Sequence, residues 1–180
     1  MCFRACLAGC LLWLLTIPML HASSNTTILV WGDSLSAAYG MPVEQGWVNL
    51  LEQRLQGRGV SIVNSSISGE TTRGGLSRLP LALELHTPDI LILELGANDG
   101  LRGVRVAEME NNLRQMIRLA GEAGARVLVL GMRMPPNFGP AYTREYAAVF
   151  ERVAESVDVS LVPFFLEGVA TDFGLMQDDG

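Results

Sequence analysis

Cysteine is scarce in this chain and crowded into one end. The three cysteines among 180 residues are Cys2, Cys6 and Cys10. Beyond residue 24 there is none, which excludes disulfides, thiolate metal sites and a cysteine nucleophile from that part of the chain. Lysine is absent: all 13 basic residues are arginine, scattered along the chain against 19 acidic ones. A net charge of −6, an isoelectric point near 4.9 and no basic cluster argue against a nucleic-acid partner. Histidine occurs only as His21 and His86. No group of His, Asp and Glu has metal-ligand spacing, and there is no phosphate loop or dinucleotide fingerprint. No metal and no cofactor are therefore expected.

Long apolar runs are also missing. The one candidate, 11–20, falls short of the ~20 residues that cross a bilayer as a helix. It follows Arg4, is broken by Pro18 and leads into the small residues Ala22-Ser23-Ser24. That order predicts a cleavable signal peptide over 1–24 and a single domain over 25–180, placed in the periplasm or secreted. After cleavage the protein is expected to be a monomer without a membrane span.

What is present is an alternation of strand and helix. Ile28 to Trp31 reads as a buried strand, ended by Gly32, where a residue without a side chain allows a sharp turn. Leu35 to Ala38 then reads as the first turn of a helix. Apolar spacing predicts helices over 46–56, 76–85, 106–123 and 143–156, with Pro80 near the start of the second. Strands are predicted over 60–64, 90–95, 127–130 and 159–162. The near-continuous apolar run Ile90 to Leu95 marks a central parallel strand covered on both faces. Repeated βα units predict a flavodoxin-like α/β/α fold: three layers around a five-stranded parallel sheet of order 2-1-3-4-5.

In such a sheet, ligands bind at the carboxyl ends of the strands. Ser34, Gly69 and Asn98 follow the first three strands, and together they make an acyl-transfer site. Ser34 fits a nucleophile; the competing reading is a helix cap. An oxyanion needs two or three donors, and the N–H groups of Ser34 and Gly69 with the Asn98 amide would supply them. Asp33 and Asp99 are expected to hydrogen-bond backbone turns.

These stretches resemble the SGNH (GDSL-type) hydrolases. Gly32-Asp33-Ser34-Leu35-Ser36 fits the nucleophile block, Ser68-Gly69-Glu70-Thr71-Thr72 the glycine block and Gly96-Ala97-Asn98-Asp99 the asparagine block. The resemblance covers the whole of 25–180. It implies a serine esterase or thioesterase with acyl-CoA-type thioesters, lysophospholipids or aryl esters as small substrates. It also implies a fourth block, Asp-x-x-His, in which Asp orients the general-base His. Asp179 aligns with its start and Asp178 fits the spacing less well. The block's histidine then falls at position 182, beyond Gly180. The expectation is a chain truncated before that histidine and a last helix, with severely reduced activity. His86 precedes the third strand, at the wrong edge of the sheet to replace it.

Leu101, between Gly100 and Gly103, is a candidate contact for the acyl chain in a closing loop; an ordinary strand–helix connection is the competing reading. Met132, Met134, Phe138 and Tyr142 are candidates for an apolar groove, with core packing as the alternative. Two further functions fit the pattern: a carbohydrate O-acetyl esterase of the same family, and a non-catalytic flavodoxin-like binding module.

Overall fold

A computed structural model describes residues 25–177. Five parallel strands, β1 (Thr26–Gly32), β2 (Val60–Asn64), β3 (Ile90–Glu94), β4 (Arg126–Leu130) and β5 (Ser160–Val162), lie in the order β2-β1-β3-β4-β5. The helices are α1 (Trp47–Leu55), α2 (Thr72–His86), α3 (Ala97–Leu101), α4 (Val106–Glu122) and α5 (Pro140–Val157). This is the three-layer α/β/α arrangement and strand order that the sequence predicts.

Alternate residues of the central strands feed two cores, as a period of two requires. Ile28, Val30, Ile92 and Leu130 face α1 through Val48, Leu51 and Leu55. Leu29, Trp31, Leu91, Leu93 and Val129 face the larger core, packed with Leu79 and Leu83 of α2, Leu113 and Met116 of α4, and Phe150 of α5. Each such side chain, fully buried, contributes about 1.5–3 kcal/mol of transfer free energy. α4 shows the cause most simply: Met109, Leu113, Met116, Ile117 and Ala120 recur at helical spacing and are all buried.

The connection β1–α1–β2 runs toward one edge of the sheet, and α2 then crosses β1 to start β3 on its other side. The direction reverses between β1 and β3, which opens a crevice at their carboxyl ends. Register fixes what meets there: Val30 pairs with Asn64 of β2, and Gly32 pairs with Glu94 of β3.

Four local expectations change. Residues 35–38 form a hydrogen-bonded turn and no helix, because Ala38 takes a left-handed φ of 57°. Gly32 remains within β1; its lack of a side chain serves space, since a Cβ there would lie 2.6 Å from Glu94 Oε2 and from Ser36 Oγ. α2 begins at Thr72, capped by the Thr71 hydroxyl accepting from Gly74 N–H, so Pro80 falls in the helix interior on an exposed position. Asn98 sits on the five-residue α3 and not on a loop.

Candidate active site

The turn after β1 is held from three sides. Ser66 Oγ accepts from Gly32 N–H at 3.1 Å, and Ile67 N–H donates to Gly32 C=O at 3.1 Å. The Asn64 amide donates to Ser36 C=O at 2.7 Å. Within the turn, Asp33 Oδ1 accepts from Leu35 N–H at 3.1 Å. Asp33 thus makes the local bond of the turn, no helix follows for Ser34 to cap, and the half-buried Ser34 stands at the carboxyl edge of the sheet.

Asp33 also joins this turn to α3. Its Oδ2 accepts from Asn98 Nδ2 at 3.0 Å across a separation of 65 residues. This bond settles which end of the Asn98 amide faces Asp33, and it leaves the second amide hydrogen to donate elsewhere. Burial raises the Asp33 carboxyl above its usual value, against the bonds from Leu35 N–H, Asn98 and Glu94.

The glycine block is tied to the same corner. Gly69 adopts φ 78°, a left-handed conformation that strains any residue with a side chain, and a Cβ there would meet only Arg102 Nη2, at 3.3 Å. The glycine is thus required by backbone conformation. Its carbonyl accepts from Arg102 Nη2 at 2.9 Å. Three residues on, Thr72 donates its N–H to Asp99 Oδ2 at 2.8 Å and its hydroxyl to Asp99 Oδ1 at 2.5 Å. Asn112 of α4 donates to that hydroxyl at 3.0 Å, completing a buried network. Asp99, like Asp33, is raised chiefly by burial and held down by its Thr72 bonds. Ser34, Gly69 and Asn98 are thereby brought to one corner by two aspartates.

Sequence reasoning missed Glu94. It is fully buried, and its Oε2 accepts from Ser36 Oγ at 2.8 Å and from Asp33 N–H at 3.2 Å. The signal was available: one carboxylate ends an otherwise apolar central strand, where burial of an unpaired charge is costly.

Leu101 on α3 is 55% exposed beside this corner, and Phe138 is 37% exposed. Tyr142 donates its hydroxyl to Gly100 C=O at 3.1 Å and stacks on Phe138 with ring centroids 6.1 Å apart. Met132 and Met134 are buried in the main core, so they drop out as groove residues. A cleft of about 590 Å³ lies at the opposite edge, between α4, α5 and the starts of β4 and β5.

Residues 30–180 match the family described as GDSL-like lipase/acylhydrolase. The chain belongs to that family. It is therefore a serine-type hydrolase of carboxylic esters and thioesters. This acylhydrolase is 47% identical over 176 residues to esterase TesA of Pseudomonas aeruginosa, covering 97% of this chain and 86% of that protein. It is 42% identical over 166 residues to thioesterase 1/protease 1/lysophospholipase L1 of Escherichia coli, covering 92% and 79%. The crystal structure of AlinE4, an SGNH-hydrolase family esterase, superposes with a TM-score of 0.82 at 39% identity, covering 87% of this chain and 85% of that one.

Several expectations for this acylhydrolase lie outside the described residues: the signal peptide over 1–24, and Asp178 and Asp179. His86 ends α2, at the amino edge of the sheet and away from Ser34. No helix among the described residues is long and apolar enough to cross a membrane.

Proposed function

We propose that Ser34 is the nucleophile of this acylhydrolase and that its own N–H, the Gly69 N–H and the Asn98 amide form the oxyanion hole. The Ser34 oxygen attacks the carbonyl carbon and its proton passes to a histidine base. The tetrahedral oxyanion collapses with cleavage of the C–O or C–S bond, and the base returns the proton to the leaving alcohol or thiol. Water then hydrolyses the acyl-serine by the same steps. In this reading Asp179 orients the base of the Asp-x-x-His block that the family resemblance implies.

One observation carries the reading: the Asn98 amide is aimed by Asp33, the residue before Ser34. A donor fixed in advance stabilises charge that develops in the transition state without reorganising. The substrate class follows from the relatives' names and the exposed apolar flank. Aryl esters, lysophospholipids and acyl thioesters are proposed, with Leu101, Phe138 and Tyr142 contacting the acyl chain. Residues 1–24 are proposed to export the chain to the periplasm or beyond, where it acts as a monomer.

The test is the rate of hydrolysis of an aryl ester, a lysophospholipid and an acyl thioester by the full-length protein. Ser34→Ala is expected to abolish all three, and Asn98→Ala to lower kcat about 10²–10³-fold, the usual cost of one oxyanion donor. Wild-type rates in Ser34→Ala would refute the assignment.

A further inference from the structure

We propose that Glu94 is a positioning residue for the oxyanion hole: its buried carboxyl, accepting from Asp33 N–H and the Ser36 hydroxyl, keeps the Ser34 turn and, through Asp33, the Asn98 amide in place. The proposal rests on the roles given above to Ser34 and Asn98.

Glu94 closes β3 directly beside the residue that precedes the turn, since Gly32 is its partner in register. One carboxyl oxygen is committed, accepting from Asp33 N–H and the Ser36 hydroxyl. The other, Oε1, is buried and receives no N–H or O–H among the described residues. Asp33 puts a second carboxyl at the same buried corner, and two ionised carboxylates side by side repel there, so one of the pair keeps its proton. Asp33 already spends Oδ1 on Leu35 N–H and Oδ2 on Asn98. Those donors favour an ionised Asp33, which leaves the proton with Glu94. Burial first, and the charge of Asp33 second, push Glu94 up to about 8.

The titratable groups bearing on the pair are Asp33 itself, Asp99 of α3 and Tyr146 of α5. None is a cation, so nothing among them compensates a second negative charge. While Glu94 is neutral, its carboxyl holds the turn through Asp33 N–H and the Ser36 hydroxyl, and Asp33 holds the amide. Once Glu94 ionises, two adjacent buried charges repel, and the turn and the amide are released together. The loss falls on transition-state stabilisation, so kcat drops while KM changes little.

The experiment measures kcat and KM against pH for the full-length protein, Glu94→Gln and Glu94→Ala, using a soluble short-chain aryl ester below each variant's melting temperature. The wild type is expected to lose kcat above about pH 8. Glu94→Ala is expected to lose about tenfold or more in kcat with KM within about twofold. Glu94→Gln keeps an acceptor for Asp33 N–H and the Ser36 hydroxyl and cannot ionise, so it rescues most of that loss and lacks the alkaline limb. A limb unchanged in Glu94→Gln, or Glu94→Ala with wild-type kcat, overturns the proposal. Should Glu94→Ala fail to fold, the Glu94→Gln profile decides alone. Hydrolysis surviving in Ser34→Ala instead overturns the underlying reading, whatever the Glu94 variants do.

Discussion

At the residue scale, three buried carboxyls organise the corner, and each has its own bond pattern. Asp33 serves the Leu35 N–H and the Asn98 amide, Asp99 serves Thr72, and Glu94 serves Ser36 and Asp33 N–H. Asp33→Ala frees the Asn98 amide, so kcat should fall about 10²-fold for every substrate, with KM nearly unchanged; steady-state kinetics on two acyl lengths checks it. Glu94 also makes a stability prediction. Its folded value, near 8, lies above the ordinary 4.5, so its contribution is complete below pH 4.5 and is lost as pH rises toward 8. The slope is about 1.4 kcal/mol per pH unit across that window. Denaturant melts at pH 5 and pH 8 should show a steeper loss in the wild type than in Glu94→Gln. Ser34, Gly69 and Asn98 were legible because each follows a strand within a short sequence block. Glu94 was not, because its partners lie 58 and 61 residues away and meet it only through the β1–β3 register. Asp179 bears the role given by resemblance alone.

At the scale of elements, the helices that carry the site are fastened to one another by polar bonds. α2 joins α3 through Thr72 and Asp99, and α4 joins α2 through Asn112 and the same Thr72 hydroxyl. Thr72→Val keeps the shape and the backbone bond to Asp99 but strands Asp99 Oδ1 and the Asn112 amide. It should cost about 1–3 kcal/mol of stability, read from denaturant melts, and lower kcat. Leu101, exposed on α3, should instead affect selectivity: Leu101→Ser is expected to leave the melting temperature unchanged and to slow long-chain esters several-fold more than short ones. Equal effects on both would remove Leu101 from the acyl contact. Alternating pattern gave the order of elements, whereas helix ends obeyed tertiary demands. α2 begins four residues before the expected 76, and within that extension Gly75 packs so closely that a Cβ would lie 2.4 Å from Leu95 Cδ1. Pro80 sits inside α2 at an exposed position, while Leu79 and Leu83 of the same helix are buried in the core. The helical reading of 35–38 failed because Ala38 turns left-handed to redirect the chain toward α1.

At the scale of the whole molecule, the reversal of strand order between β1 and β3 gathers the loops after β1, β2 and β3 at one edge. The two cores pack on either face of the strands that end at that edge. The central strand was legible as the most apolar run in the chain, and the strand order followed from the simplest winding of repeated βα units. Placement of the acyl flank was not, since Met132 and Met134 differ from Phe138 only by which way the loop after β4 turns them. The central claim is that one hydroxyl, on Ser34, does the chemistry. Intact-mass and peptide analysis after treating the full-length protein with a fluorophosphonate tests it directly. The account predicts a single adduct on Ser34, none on neighbouring Ser36, and none at all in Ser34→Ala. An adduct on another residue, or hydrolysis that persists after Ser34 is replaced, would contradict it.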